Sequence, residues 1–141
     1  MEARKLISML KKALVDEVYF PNNCSEICFD VVGETSKDIF VINIYRGTIK
    51  GKKFNVGARI KKNNIVLLQL HINPTAVHTN PETLEKIKGS HWHIYSEKYG
   101  RLTAYPADDV TSDEFVENTI LFLDKFNVIE KPTFKDQLKL I

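Results

Sequence analysis

Cysteine is scarce in this chain: Cys24 and Cys28 are the only two among 141 residues. So few thiols cannot build a disulfide framework, and in a chain of this size they read as reduced core or near-surface groups. Their Cys-x-x-x-Cys spacing leaves a zinc site shared with two histidines as the lesser alternative. Long apolar runs are also missing, none approaching the roughly 18 residues of a membrane span. The start Met1-Glu2-Ala3-Arg4-Lys5 lacks the apolar stretch of a secretory signal, so no membrane partner is expected and the cytoplasm is the expected location. No phosphate-cradling glycine loop, dinucleotide fingerprint or kinase motif occurs. Ser90 and Ser96 lack the setting of a nucleophile elbow, which argues against serine hydrolase chemistry.

Charge of one sign is absent over long stretches. No acidic residue lies between Asp38 and Glu82, where Arg46, Lys50, Lys52, Lys53, Arg59, Lys61 and Lys62 all fall. From Asp108 to Asp124 there is no Lys or Arg, while Asp108, Asp109, Asp113, Glu114, Glu117 and Asp124 accumulate. A net charge of +2 therefore conceals a positive and a negative region. Such segregation can steer a polyanion to one side, or can simply keep two surfaces solvated.

The composition, 43% hydrophobic and 27% charged, is that of an ordinary globular protein, and 141 residues fit one domain, 1–141. Leu6, Met9, Leu10, Ala13 and Leu14 repeat at helical spacing, which predicts an N-terminal helix to about Val18, stopped by Pro21 and Asn22-Asn23. Four strand-like runs come next: 26–32, 39–45, 53–61 and 65–72. In the third, Phe54, Val56, Ala58 and Ile60 alternate with polar residues, and Asn63-Asn64 makes a tight hairpin to the fourth. There Val66, Leu68, Leu70 and Ile72 share a face, with Gln69 and His71 opposite.

Residues 73–90 hold Pro74, Pro81 and Gly89 and read as a long loop with a helical turn at 82–88. A histidine-bearing strand, 91–97, and a short strand, 102–105, succeed it. Thr111-Ser112-Asp113-Glu114 fits a capping box for a C-terminal helix with Phe115, Val116, Thr119, Ile120, Leu123 and Phe126 inward, ended by Asn127. A tail helix from Thr133, with Phe134, Leu138 and Ile141 inward, completes the reading. The expected fold is α+β: an antiparallel sheet of about six strands flanked by an N-terminal and a C-terminal helix.

Chemistry concentrates in His91-Trp92-His93-Ile94-Tyr95-Ser96-Glu97. Alternation along a strand puts His91, His93, Tyr95 and Glu97 on one face and Trp92 and Ile94 on the other. With His78 in the preceding loop, these five residues are the candidate catalytic set. Three uses stay open. His78 and His93 as base and acid, oriented by Tyr95 or Glu97 and helped by Arg59 and Lys61, would suit metal-free cleavage of RNA, as in a toxin-like ribonuclease. Arg59, Lys61, Lys53 and Tyr99 would alternatively bind nucleic acid or a nucleoprotein without catalysis, as an accessory or counter-defence protein does. The His-x-His-x-x-x-Glu spacing of His91, His93 and Glu97 resembles the first half of the cupin metal motif. No histidine comes after His93, so His71 or His78 would have to supply a third nitrogen from upstream.

The ordered pieces His78-Thr79-Asn80-Pro81, Gly89-x-His91-x-His93-Ile94-Tyr95-x-Glu97-x-Tyr99 and Ala104-Tyr105-Pro106 resemble a family of small uncharacterised proteins from bacteria and their mobile elements. The resemblance covers about residues 50–130 and implies no particular reaction. Gly100 and Arg101 depart from the family's pattern after the Glu-x-Tyr step. The sequence implies neither a cofactor nor an oligomeric state.

Overall fold

The computed structural model describes residues 2–47 and 53–136. In chain order the elements are α1 (Ala3–Ser8), β1 (Lys11–Ala13), β2 (Glu17–Tyr19), β3 (Ser25–Val32), β4 (Ile39–Arg46), β5 (Phe54–Ile60), β6 (Val66–Ile72), β7 (His78–Thr79), β8 (Lys86–Ile87), β9 (His91–Ile94), β10 (Ala104–Pro106), α2 (Phe115–Lys125), β11 (Val128–Glu130) and β12 (Thr133–Lys135). The fold is α+β. Among the described residues, the main sheet has eight strands in the order β10-β9-β6-β5-β4-β3-β1-β11, antiparallel except for the β1–β11 pair.

The four central strands form where alternation predicts them. Asn64 takes the left-handed conformation (φ 62°) at the β5–β6 hairpin, and Asn63 Oδ1 accepts from the Ile65 amide at 3.0 Å. Register then sorts whole rows onto one face. Ile27, Ile44, Val56, Leu70 and Trp92 lie across from one another, as do Phe29, Ile42, Ala58, Leu68 and Ile94. These rows pack with Phe115, Phe122 and Leu123 of α2 into one core. Trp92 stacks on Phe122 with ring centres 6.0 Å apart, and its indole N–H donates to Asp109 Oδ1 at 2.8 Å.

Several expectations need correction. The N-terminal helix stops at Ser8; beyond it the chain adds β1 to the free edge of β3, and Leu10 is left 57% exposed. Local periodicity cannot register an unpaired strand edge, and it is this non-local ladder that prevails. Lys11, within the segment expected to be helical, is 1% exposed and donates to the carbonyls of Ile7 (2.9 Å), Met9 (2.7 Å) and Phe126 (2.7 Å). The 82–88 helical turn is absent: β7 and β8 form a small hairpin there, with His78 opposite Ile87.

The capping box does not form either. α2 begins at Phe115 without a side-chain cap, and its first turn is held from within by Asn118 Nδ2 donating to Ser112 O at 2.9 Å. Asn127 does end the helix in the left-handed conformation (φ 58°). At the tail, β12 pairs in parallel with β2 where a helix was expected, and Phe134 packs edge-on to Phe20 and Phe29. Leu138 and Ile141 lie outside the described residues, as do Lys50 and Lys52. The basic stretch is thinner than it reads. Arg46 is buried in a two-pronged pair with Asp136 (3.0 and 2.7 Å), and Lys61 Nζ pairs with Asp30 at 2.6 Å.

Candidate functional site

Opposite the core, the same register assembles two polar rows. Glu26, Tyr45, Asn55, His71 and His91 face one another in one row; Cys28, Asn43, Gly57, Gln69 and His93 form the next. Pairing of β6 with β9 sets His71 directly across from His91 and brings the His93 ring within 4.8 Å of the His71 ring. The β7–β8 hairpin brings His78 to the same place, with its ring 4.8 Å from His93 and 5.6 Å from His91. All four histidines of the chain thus meet in one place. They line a cavity of about 350 Å³ with Gln69, Arg101 and Leu102.

Hydrogen bonds decide the tautomers. His91 Nδ1 lies 2.9 Å from Gly89 O, and His93 Nδ1 lies 2.8 Å from Arg101 O. A carbonyl only accepts, so each Nδ1 carries the proton and each Nε2 keeps its lone pair. His78 is arranged the other way: its Nε2–H donates to Leu102 O (2.8 Å) and faces Asn80 Oδ1 (3.1 Å), leaving Nδ1 free. Buried Asn80 is itself fixed, because its Nδ2 donates to Ala104 O at 2.9 Å and its Oδ1 accepts from Ala104 N at 2.8 Å.

Burial favours the neutral form of His71, His91 and His93. It lowers His71 to about 4, with help from nearby His91 and Arg101, and lowers His93 to about 4, with help from His71 and His91. His91 is lowered mainly by burial too, against the opposing effect of the Gly89 carbonyl. One nitrogen from each of His71, His91 and His93 falls within 4.8 Å of the others. A tetrahedral ion about 2.1 Å from each nitrogen requires separations of ~3.4 Å, so the three rings would have to draw closer together around it.

Of the residues singled out from sequence, His78, His91 and His93 come together. Tyr95 and Glu97 do not join them, because β9 ends at Ile94 and alternation with it. They line a separate groove with Glu2, Arg4 and Ile7 of the N-terminal segment. Arg59 and Lys53 border the polar face on either side of the histidines, while Lys61 is held by Asp30 and Tyr99 lies against Lys98 in the turn after β9. His71 lay outside the candidate catalytic set, and Arg101 had no assigned role. The signal for His71 was its place beside Gln69 on the polar side of β6; Arg101 carried none, since only folding brings it to the cavity. Among the described residues, the group able to hold a metal is all histidine. Cys24 and Cys28 are exposed and take no part, and the Cys28 thiol donates to Asn43 Oδ1 at 2.7 Å.

No described helix is long and apolar enough to cross a membrane. A protein-family model described as a family of unknown function (DUF6978) matches residues 1–128. Neither the curated proteins nor the solved structures include a match to the chain.

Proposed function

This chain belongs to that family of unknown function, DUF6978, so the chemistry has to come from the site itself, and we propose a metal-dependent hydrolase centred on His71, His91 and His93. The observation that carries the proposal is the convergence of three neutral imidazole nitrogens within 4.8 Å at the wall of an open cavity. Three protein ligands with an open position are the donor set of catalytic zinc sites, whereas structural sites close with four. A set made only of imidazoles suits zinc or a neighbouring transition metal and disfavours magnesium and calcium, which take oxygen. The carbonyls of Gly89 and Arg101 supply the outer contacts that orient two of the ligands.

A cation held there would lower the pKa of a coordinated water to about 7 and so provide a nucleophile at neutral pH. His78, whose Nδ1 lone pair is free beside this set, is placed to take a proton from the attacking water and pass it to the leaving group. Arg101 stands at the cavity wall where negative charge would develop. Metal-free RNA cleavage by His78 and His93 is the second reading, favoured by the 4.8 Å between their rings. Burial restricts it, because His93, held at about 4, is a neutral imidazole at neutral pH and could serve only as the base.

Elemental analysis of untagged protein tests the proposal. Wild type should hold about one equivalent of zinc or a similar metal. His71→Ala and the His91→Ala/His93→Ala double variant should lose it. A wild type that stays metal-free after exposure to zinc refutes the metal centre, and cleavage of RNA that persists in chelator would favour the second reading.

A further inference from the structure

Three hollows join along the polar face of the sheet. The histidine cavity is the middle one. On one side it shares His71 with a hollow of about 270 Å³ lined by Tyr45, Lys53 and Asn55. On the other it shares Gln69 and Arg101 with a hollow of about 160 Å³ lined by Asn43, Gly57 and Arg59. The line runs along β5, from Lys53 just before the strand through Asn55 and Gly57 to Arg59. At about 3.3 Å per residue that run extends roughly 20 Å. Gly57 keeps the floor open between the middle and the far hollow: a Cβ there would lie 3.2 Å from Gln69 Cγ.

Charge along this line has one sign. Among the described residues, no carboxylate lines any of the three hollows. The acidic groups of the neighbouring strand β3 are engaged, Glu26 by the Asn43 amide at 2.9 Å and Asp30 by Lys61. The cations are only lightly held. Lys53 Nζ donates to the neutral Thr75 hydroxyl at 3.1 Å, and Arg59 gives one N–H to Asn64 Oδ1 at 3.2 Å. Tyr45 presents an aromatic ring beside Lys53.

We infer that this track binds a single-stranded polynucleotide, with Lys53, Arg59 and Arg101 on phosphates, Tyr45 stacked on a base and one phosphodiester seated in the histidine cavity. Spaced cations and an aromatic platform along an open groove are what a flexible strand uses. A flexible single strand can lower one backbone phosphate into the recess walled by Val77, His78 and Leu102 at less cost in bending than a stiff duplex. Binding stands on the groove alone; the fate of the strand rests on the metal-centre proposal. There, water adds to phosphorus, the bond from phosphorus to one ester oxygen breaks, and that oxygen takes the proton, with no co-reactant besides water.

Fluorescence anisotropy of labelled single-stranded RNA, single-stranded DNA and duplex, with metal-stripped full-length protein in chelator, tests the inference. Single strands should bind in preference to duplex, with affinity falling against salt on a log–log slope of about −2 for three phosphate contacts. Arg59→Glu or Arg101→Glu should weaken binding at least about tenfold and flatten the slope by about 0.7. Tyr45→Ala should cost about tenfold at little change in slope. A charge reversal at exposed Lys12 of β1, Lys12→Glu, should leave binding unaltered. Melting curves confirm that each variant is folded. Absent binding at low salt, a preference for duplex, or equal weakening by Lys12→Glu overturns the inference. Metal content of the same preparations separates the two proposals. Intact strand binding by protein that never takes up metal sinks the metal centre alone, and metal-replete protein that ignores oligonucleotides sinks the track alone.

Discussion

Asn80→Ala should be among the most damaging single changes near the site, although Asn80 holds no reacting atom. Its side chain acts as a strand segment, giving Nδ2–H to Ala104 O (2.9 Å) and accepting from Ala104 N (2.8 Å), with 7% of the residue exposed. Truncation leaves the Ala104 amide and carbonyl without these partners, in a residue that is itself buried. Each buried group stranded in this way costs about 1–3 kcal/mol, so the pair should cost about 3 kcal/mol. For a chain of this length, that corresponds to a fall of roughly 10 °C in Tm. Thermal and urea unfolding of the metal-free protein would read it, and Asn80→Asp, which keeps the acceptor and loses the donor, should fall between. The same truncation removes an oxygen that faces His78, so the His78 ring should loosen with the hairpin. A loss under about 1 kcal/mol would refute the reasoning, because water would then be satisfying Ala104 and the hairpin would not be clamped.

Acid should destabilise the metal-free protein in a defined window. His71 and His93 sit near 4 when folded and near 6.5 when unfolded, so the unfolded chain binds more protons between those values. Their contribution is complete above about pH 6.5 and lost as pH falls to 4, on the order of 2 kcal/mol for His93 once the full shift is discounted for solvent screening. Unfolding curves across that range should show the loss, and His71→Ala/His93→Ala should flatten it. Lys11→Ala should cost about 3 kcal/mol in urea unfolding, since the Ile7, Met9 and Phe126 carbonyls lose a shared donor. Phe122→Ala, which removes the ring under Trp92, should cost about 3–5 kcal/mol and perturb tryptophan fluorescence. Removing metal from a loaded protein should lower Tm, by about 2.7 kcal/mol of stability where the free metal stood at a hundred times its Kd.

Legibility tracked the range of the forces involved. The central strands were readable because alternation of Phe54, Val56 and Ala58 with Asn55, Gly57 and Arg59 is a local consequence of one dry face. The hairpin at Asn63-Asn64 and the helix end at Asn127 were readable locally too, because asparagine tolerates the left-handed conformation that both turns use. The N-terminal segment was not, because Met9, Leu10 and Ala13 satisfy helical spacing while Lys11 gains more from carbonyls supplied by α1 and by Phe126, more than a hundred residues away. Tyr95 and Glu97 depart from the expected face because the strand is shorter than its pattern: once β9 ends at Ile94, alternation no longer aims the residues beyond it.

The polar and apolar side of each strand, and the histidine pair on one face of β9, were set locally by residue order, since a period of two is built into extended backbone. Assembly of the whole sheet was needed to insert β9 beside β6, which sets His71 against His91, and to bring His78 to them on the β7–β8 hairpin. The same assembly carries Arg101 to the cavity while Lys61 is taken by Asp30. Strand order and register depend on which edges are left to pair and which rows must be buried together. Those are properties of the complete sheet, and no window of sequence contains them.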